Sequence, residues 1–344
     1  MRTVFRRIFA VVLLAAGLAA CTDPDSGTGK VGIILPDTKT SARWATADIK
    51  YLEAAFDAAG VPVDVQNAQG DKTQFQTIAD GMISSGVKVL MIVNLDSGTG
   101  KAVLDKARSA GIATIDYDRL TLDGNADHYV SFDNVRVGQL LGQGLVGCLA
   151  TSGDAHPVIA ELNGAPTDNN ATLFAQGYNS VLDPRYADGT FVRGPQQNVH
   201  DWDNNQAATI FEQMLTAHHG IRGVLAANDG LANAAIQVLK RYKLNGHVPV
   251  TGQDATVQGL QNILAGDQCM TVYKPVKEEA DAASSLAIAL AKGQPPAAPR
   301  EILLMPRAIT RNTVKDVIAD GYVTSAQLCT DEFRQACAAA GIAR

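Results

Sequence analysis

The chain has 344 residues, of which 46% are apolar, 19% charged and 6% aromatic. It is too apolar for a disordered chain, too long for a single core when domains run to about 100–200 residues, and too poor in aromatics for an all-β sandwich. The formal net charge of −6 has the wrong sign for a nucleic-acid partner, which needs a basic face.

The first stretch, MRTVFRRIFAVVLLAAGLAAC, sets Arg2, Arg6 and Arg7 ahead of a short apolar run and then Leu18-Ala19-Ala20-Cys21. A positive start, a brief apolar segment and small residues before a cleavage point describe an export signal over residues 1–20 rather than a membrane span. Leu-Ala-Ala-Cys also resembles a bacterial lipobox, which implies that Cys21 becomes a lipidated first residue anchoring the chain to a membrane. An ordinary signal with a chance cysteine is the plainer alternative. Arg6-Arg7 echoes a twin-arginine signal, but arginines belong in any such segment. Without residues 1–20 the balance is 26 basic against 35 acidic residues. Residues 21–29 are small, polar and turn-forming, as a flexible spacer should be.

From Lys30 onward, strand-length apolar runs alternate with helical patterns: VGIIL (31–35), VPVDV (61–65), VKVLMIV (87–93), IATI (112–115) and YVSF (129–132). Between them TADIKYLEAAFDAAG puts Ile49, Leu52, Phe56 and Ala59 on one helical face. After Thr151-Ser152-Gly153 the pattern restarts with PVIAEL (157–162), TFVRG (190–194), GVLAA (223–227), VPVTG (248–252) and MTVY (270–273). Such alternation predicts α/β architecture with two doubly wound lobes of similar design. Cys148, Cys269, Cys329 and Cys337 are even in number in an oxidising compartment, so two disulfides are expected. Of three connectivities, the short spacing favours Cys329 with Cys337, leaving Cys148 for Cys269.

Open parallel sheets bind ligands beyond the carboxyl ends of their strands. Those ends carry Ser41-Ala42-Arg43-Trp44, Asp116, Asp118 and Arg119, Asp168-Asn169-Asn170, Asp201-Trp202-Asp203, Asn228-Asp229, Gln253-Asp254 and Lys274. Carboxylates, amides and guanidinium groups match neighbouring hydroxyls, and a tryptophan face covers the C–H patch of a pyranose. Both tryptophans of the chain, Trp44 and Trp202, stand there. Taken singly each residue has a bland role: Asp133, Asp168 and Asp229 as helix caps, Arg43 and Lys274 as surface ion pairs, the tryptophans as core. Joint occurrence at seven strand ends across both halves points to saccharide binding.

The stretches DYDR (116–119), SFDN (131–134), DNNATLF (168–174), AND (227–229), GQDA (252–255) and MTVYKP (270–275) resemble those of the type I periplasmic sugar-binding proteins of ABC importers, the D-xylose binders above all. The resemblance runs from about Lys30 to Leu328. It implies two flavodoxin-like lobes joined by a three-segment hinge, with chain crossings near residues 150, 274 and 305. The lobes would then be residues 30–150 plus 275–304 and residues 151–274 plus 305–328, with 329–344 an extension beyond the family core. It further implies that Arg43, Asp118, Arg119, Asn170, Asn228, Asp254 and Lys274 hydrogen-bond a monosaccharide, most simply D-xylose, between stacking Trp44 and Trp202. Asn169 and Asp229 are supporting or capping residues. The partners implied are a membrane permease and the lipid anchor, with the protein a monomer and no cofactor. A Cys148–Cys269 bridge is expected near a hinge, where it would stiffen closure.

Other motifs dissolve on their context. GQGLVG (142–147) fits a dinucleotide fingerprint but lies inside a helical segment, and SGTGKA (97–102) lacks the glycine and hydroxyl of a phosphate loop. Asp201, Asp203 and Asn205 have calcium-loop spacing without its glycine and glutamate, and the six histidines form no metal motif. Three rivals remain. A glycosidase would use two of Asp118, Asp229 and Asp254, yet each acid has a cationic or amide neighbour expected to keep it ionised. A repressor effector domain conflicts with the export signal, and a receptor presenting its sugar to a sensory partner shares every feature of the importer reading. Asp118→Ala and Trp202→Ala are each expected to abolish binding with little loss of stability, and glucose, with an extra hydroxymethyl group, to bind poorly.

Overall fold

The computed structural model describes residues 28–150 and 153–343. The export signal, Cys21, most of the spacer and Thr151-Ser152 lie outside the described residues.

The first lobe is built on β1 (Val31–Leu35), β2 (Val63–Asn67), β3 (Val89–Ile92), β4 (Ala113–Tyr117) and β5 (His128–Phe132). These strands are parallel in the order β2-β1-β3-β4-β5. Helices α1 (Ala47–Ala59), α2 (Lys72–Ser84) and α3 (Ser97–Ser109) cover its faces. The helix over 47–59 ends at Gly60, whose φ of 63° is the left-handed cap a glycine supplies without strain. The apolar runs buried on both faces of β1 and β3 are what a covered parallel sheet requires.

The next helix, α4 (Asn134–Leu149), leaves the first lobe. It packs along α5 (Asn169–Ala187), and its Val137, Leu141, Leu145 and Leu149 enter the core of the second sheet. A Cβ on Gly138 would stand 2.0 Å from the Phe174 carbonyl oxygen, and one on Gly177 2.1 Å from that of Val135, so glycine alone permits this approach. The first crossing is therefore at Asp133, and the expected boundary near 150 is corrected: an amphipathic helix shows which face is buried, not which sheet it is buried against. GQGLVG lies wholly inside α4.

The second lobe contains β6 (Val158–Asn163), β7 (Val192–Asn198), β8 (Ile221–Ala226), β9 (Thr251–Gln253) and β10 (Met270–Tyr273), with α6 (Asn204–Ala217), α7 (Asp229–Arg241) and α8 (Val257–Ala265). The order β7-β6-β8 continues through a Val224–Val250 bridge to β9-β10, repeating the winding of the first lobe. β7 is longer than its short apolar run predicts because it is an exposed edge strand; the register slips at Gly194-Pro195, and an edge tolerates a proline. The chain then returns to the first lobe as α9 (Val276–Ala291) and β11 (Glu301–Leu304), which extends the sheet beside β5. It crosses again past Met305-Pro306 into β12 (Arg307–Ile309), antiparallel to β10.

The last helices, α10 (Val314–Ala319), α11 (Ser325–Leu328) and α12 (Arg334–Ala339), close over α8. Cys329, Cys337 and Ile342 share a core with Leu260, Ile263 and Leu264, so the C-terminal segment is packed into the second lobe. Cys329 pairs with Cys337 and Cys148 with Cys269, with Cα separations of 5.9 and 6.4 Å. Cys148 ends α4 and Cys269 precedes β10, at the far end of that strand from the crossing at Lys274. Both lie in one lobe, so the bridge does not span the hinge.

Candidate functional site

The carboxyl ends of both sheets face one another, and their loops meet around a narrow cavity with about 30 Å³ of free space. Arg43, Trp44, Asp118, Arg119, Asn170, Trp202, Asn228, Asp254 and Lys274 all line it. Asn169 and Asp229 do not. Five further residues complete the wall: Thr40, Ser41, Asp168, Phe174 and Gln253. Phe174 was legible in principle, since it follows Asn170 by one helical turn on α5. Ser41, Asp168 and Gln253 stand at strand ends and were visible as such, without a ligand role.

Backbone turns aim several of these side chains. Asp118, Trp202 and Asp254 have φ of 59°, 53° and 109°, conformations non-glycine residues adopt reluctantly and which concentrate at functional sites. Trp202 lies against Gly164, where a Cβ would come within 2.1 Å of the ring, and its Nε1 donates to Asp168 Oδ2 at 3.3 Å.

Asp118 is the electrostatic centre. Its Oδ1 accepts from Arg43 at 3.0 Å and Lys274 at 3.1 Å, and its Oδ2 accepts from Asn170 Nδ2 at 3.0 Å. Burial opposes its ionisation, yet Lys274, Arg43 and Arg119 hold its carboxyl below the usual carboxylate range. Arg43 is more deeply committed to the protein than a ligand-reading arginine: Asp48 of α1 receives its Nε and Nη2 at 2.8 and 2.7 Å, and Glu279 of α9 also receives Nη2. One N–H of Nη1 is left for the cavity. The guanidinium carbon also sits 4.4 Å from the Trp44 ring centre. Burial and the neighbouring carboxylate of Asp118 push Glu279 up to about 8 in spite of Arg43.

The remaining acids divide by environment. Burial raises Asp254 against the pull of Lys274 and Arg43, and lifts Asp229 to about 7. The expectation that every strand-end acid would be held ionised is thus corrected for these two, because desolvation outweighs their donors. Asp229 is turned away from the cavity: it accepts from Gln268, Thr271 and both the backbone N–H and hydroxyl of Thr256, anchoring the loop after β9. Asn228, not Asp229, caps α7 through Leu231 N at 2.8 Å. Asp116 likewise serves structure, receiving Thr121 N and Oγ1 at 2.8 and 2.7 Å.

Polar bonds cross between lobes around the cavity. Besides Asn170 on Asp118, Ser41 Oγ donates to Asp254 at 3.1 Å and Asn228 Nδ2 to the Thr40 carbonyl at 3.3 Å. Arg119 Nε lies 3.0 Å from Asp168, an ion-pair contact without hydrogen-bond alignment. Trp44 Nε1 and Gln253 Oε1 are buried with no partner among the described residues, each a liability of about 1–3 kcal/mol unless something else meets it.

The model for the periplasmic binding protein domain matches residues 31–295. The D-xylose-binding periplasmic protein of Escherichia coli K12 is 34% identical over 311 residues, 87% of this chain and 92% of that protein. The multiple sugar-binding periplasmic receptor ChvE of Rhizobium radiobacter is 33% identical over 347 residues, 93% and 97% of the two chains. Among solved structures, a carbohydrate transporter solute-binding protein from Chloroflexus aurantiacus in complex with D-glucose matches with a TM-score of 0.78 at 30% identity, over 87% of this chain and 98% of that one.

Proposed function

Because the chain belongs to the family of type I periplasmic sugar-binding proteins, we propose that it is the extracytoplasmic binding component of an ABC sugar importer. It captures a monosaccharide, D-xylose first, between its lobes and hands it to a membrane permease. The observation that carries the reading is the convergence of nine polar and indole side chains, from strand ends of both lobes, on one buried cavity. Asp118 and Asp254 accept from sugar hydroxyls, while Arg119, Asn170, Asn228 and Lys274 donate, with the single remaining N–H of Arg43. Trp44 and Trp202 cover the apolar ring faces. A hydroxylated ligand also satisfies Trp44 Nε1 and Gln253 Oε1, which have no partner among the described residues. Lipid on Cys21 tethers the receptor, with residues 22–29 as the leash.

Calorimetric titration with xylose, ribose, arabinose, galactose and glucose tests the reading. One-to-one binding led by xylose is expected, and the glucose-bound relative makes glucose the informative comparison. No binding by any of the five overturns it. One feature favours a second reading: within a single cavity Asp118 is held ionised while burial raises Asp254, the split that acid and nucleophile carboxyls need. Incubation with aryl glycosides separates the two, with stoichiometric binding and no turnover expected of a receptor.

A further inference from the structure

Behind the cavity wall, Arg43 gathers the carboxylates of Asp48, Asp118 and Glu279 about one guanidinium group. Of these only Asp118 lines the cavity. Lys274 adds a second cation through Asp118. We propose that Glu279 is a positioning residue for sugar binding: as a neutral acid it leaves Arg43 aligned on Asp118, and on losing its proton it draws the guanidinium toward α9, so that sugar affinity falls in alkaline solution. The proposal rests on the cavity being the sugar site.

All three carboxyls are buried, Asp48 and Glu279 completely. With each of them ionised, three negative charges would share the two positive charges of Arg43 and Lys274, and a buried charge left over is costly. A proton on one carboxyl removes the excess, and Glu279 is the one placed to take it. Asp48 accepts from Arg43 Nε and Nη2 and from the Tyr117 hydroxyl, and Asp118 accepts from Arg43, Lys274 and Asn170, so each has donors at both oxygens. Glu279 accepts from Arg43 Nη2 at Oε2, while its Oε1 is buried with no partner among the described residues. A proton on Oε1 leaves Oε2 to accept from Nη2 as before. Burial accordingly pushes Glu279 up to about 8, with Asp118 and Asp48 adding to the rise and Arg43 and Lys274 opposing it. Tyr117 of β4 and Tyr129 of β5 also feel its charge. Asp116 is turned to Thr121 and His128 to the Pro299 carbonyl, and the remaining charged residues of α1, α9 and β11 are exposed. The Glu279 backbone N–H donates to the Pro275 carbonyl at 3.3 Å, which fixes the carboxyl at the end of α9 that adjoins Lys274 and the crossing between lobes.

Calorimetry of the purified protein with D-xylose and D-glucose between pH 6 and 9 tests this, alongside Glu279→Gln. The protonated form is the one that binds well, so affinity is full below the pKa of Glu279 and lost above it. The sugar should bind about tenfold more weakly at pH 9 than at pH 7. Titrations at pH 8 in phosphate and in Tris, whose ionisation enthalpies differ, should show uptake of about half a proton per sugar bound. Glu279→Gln keeps the shape and cannot ionise, so its affinity should change by less than about twofold over the same range. Asp229 also titrates there, but it is turned away from the cavity and remains in the variant, so a slope that belonged to it would persist. A purely structural role for Glu279 would lower stability and leave the pH profile as it is. Sugar binding with a flat profile and no proton uptake in the unsubstituted protein overturns the proposal alone, whether or not the variant folds, as does an unchanged slope in Glu279→Gln. Absence of binding by both sugars at every pH overturns the sugar-receptor reading together with it.

Discussion

Asp118 shows how far one residue can be read from its type. Its place after an apolar strand marks it as a ligand group, but its three partners are what set its behaviour. Asp118→Ala leaves Arg43 and Lys274 buried without their shared carboxylate, a loss of about 3–5 kcal/mol when one member of a buried pair is removed. The expectation of little change in stability is therefore revised. Asp118→Asn retains the shape, and calorimetry should show sugar affinity falling by roughly 10- to 100-fold, the worth of a charge-assisted hydrogen bond. Trp202→Phe keeps an aromatic over Gly164 but loses the bond to Asp168 and part of the stacking face, and should weaken binding by about tenfold. At Asp116 the prediction concerns pH. Burial lifts its carboxyl to about 6, above the ordinary value of 3.8, so the folded state holds its proton longer than the unfolded one. Stability from this group is full at low pH and is lost as pH rises, by about 1 kcal/mol between pH 5 and 7. Urea unfolding across that range should show the fall, and Asp116→Asn should flatten it.

At the scale of elements, α4 and α5 carry the most consequential contact. The two helices touch backbone to backbone at Gly138 and Gly177, and α5 presents Asn170 and Phe174 to the cavity. Gly138→Ala should cost about 1–3 kcal/mol in chemical denaturation, because the clash is with a carbonyl rather than a movable side chain. It should also weaken sugar binding by displacing α5. The Cys148–Cys269 bridge ties the end of α4 to the sheet within one lobe and closes a loop of 121 residues. A Cys148→Ser, Cys269→Ser double variant should lose about 2–4 kcal/mol of stability. Ligand-induced closure by small-angle scattering should be unchanged, since neither cysteine reaches the other lobe. How legible an element was depended on its burial. β1 and β10 coincide with their apolar runs, whereas β7 extends past its own, since an edge strand needs no continuous apolar face.

For the whole molecule, the three crossings at Asp133, Lys274-Pro275 and Met305-Pro306 lie beside one another, and Asp133 N donates to the Leu304 carbonyl at 2.9 Å. Motion about them would separate the lobes without disturbing either core. The bonds that hold the lobes together around the cavity are few and polar, and water can replace each when they part. A ligand that touches both walls shifts the population toward closure. Scattering should therefore show a smaller radius of gyration on adding the bound monosaccharide. Asp168→Asn, which removes the charge facing Arg119, should reduce that change.

The strand and helix periods, the repeated winding and the polar residues at strand ends were determined by the sequence itself, because each depends on neighbours a few positions away. Only the tertiary structure decided which sheet α4 joins, since an apolar stripe packs equally well on either. It alone turned Arg43 into a buried strut, because Asp48 lies on a helix that reads as amphipathic and Glu279 stands 236 residues further on. Charges on helices read as solvated faces until a distant segment buries them, and desolvation, which lifts Glu279, Asp229 and Asp254, exists only once the chain has closed around them.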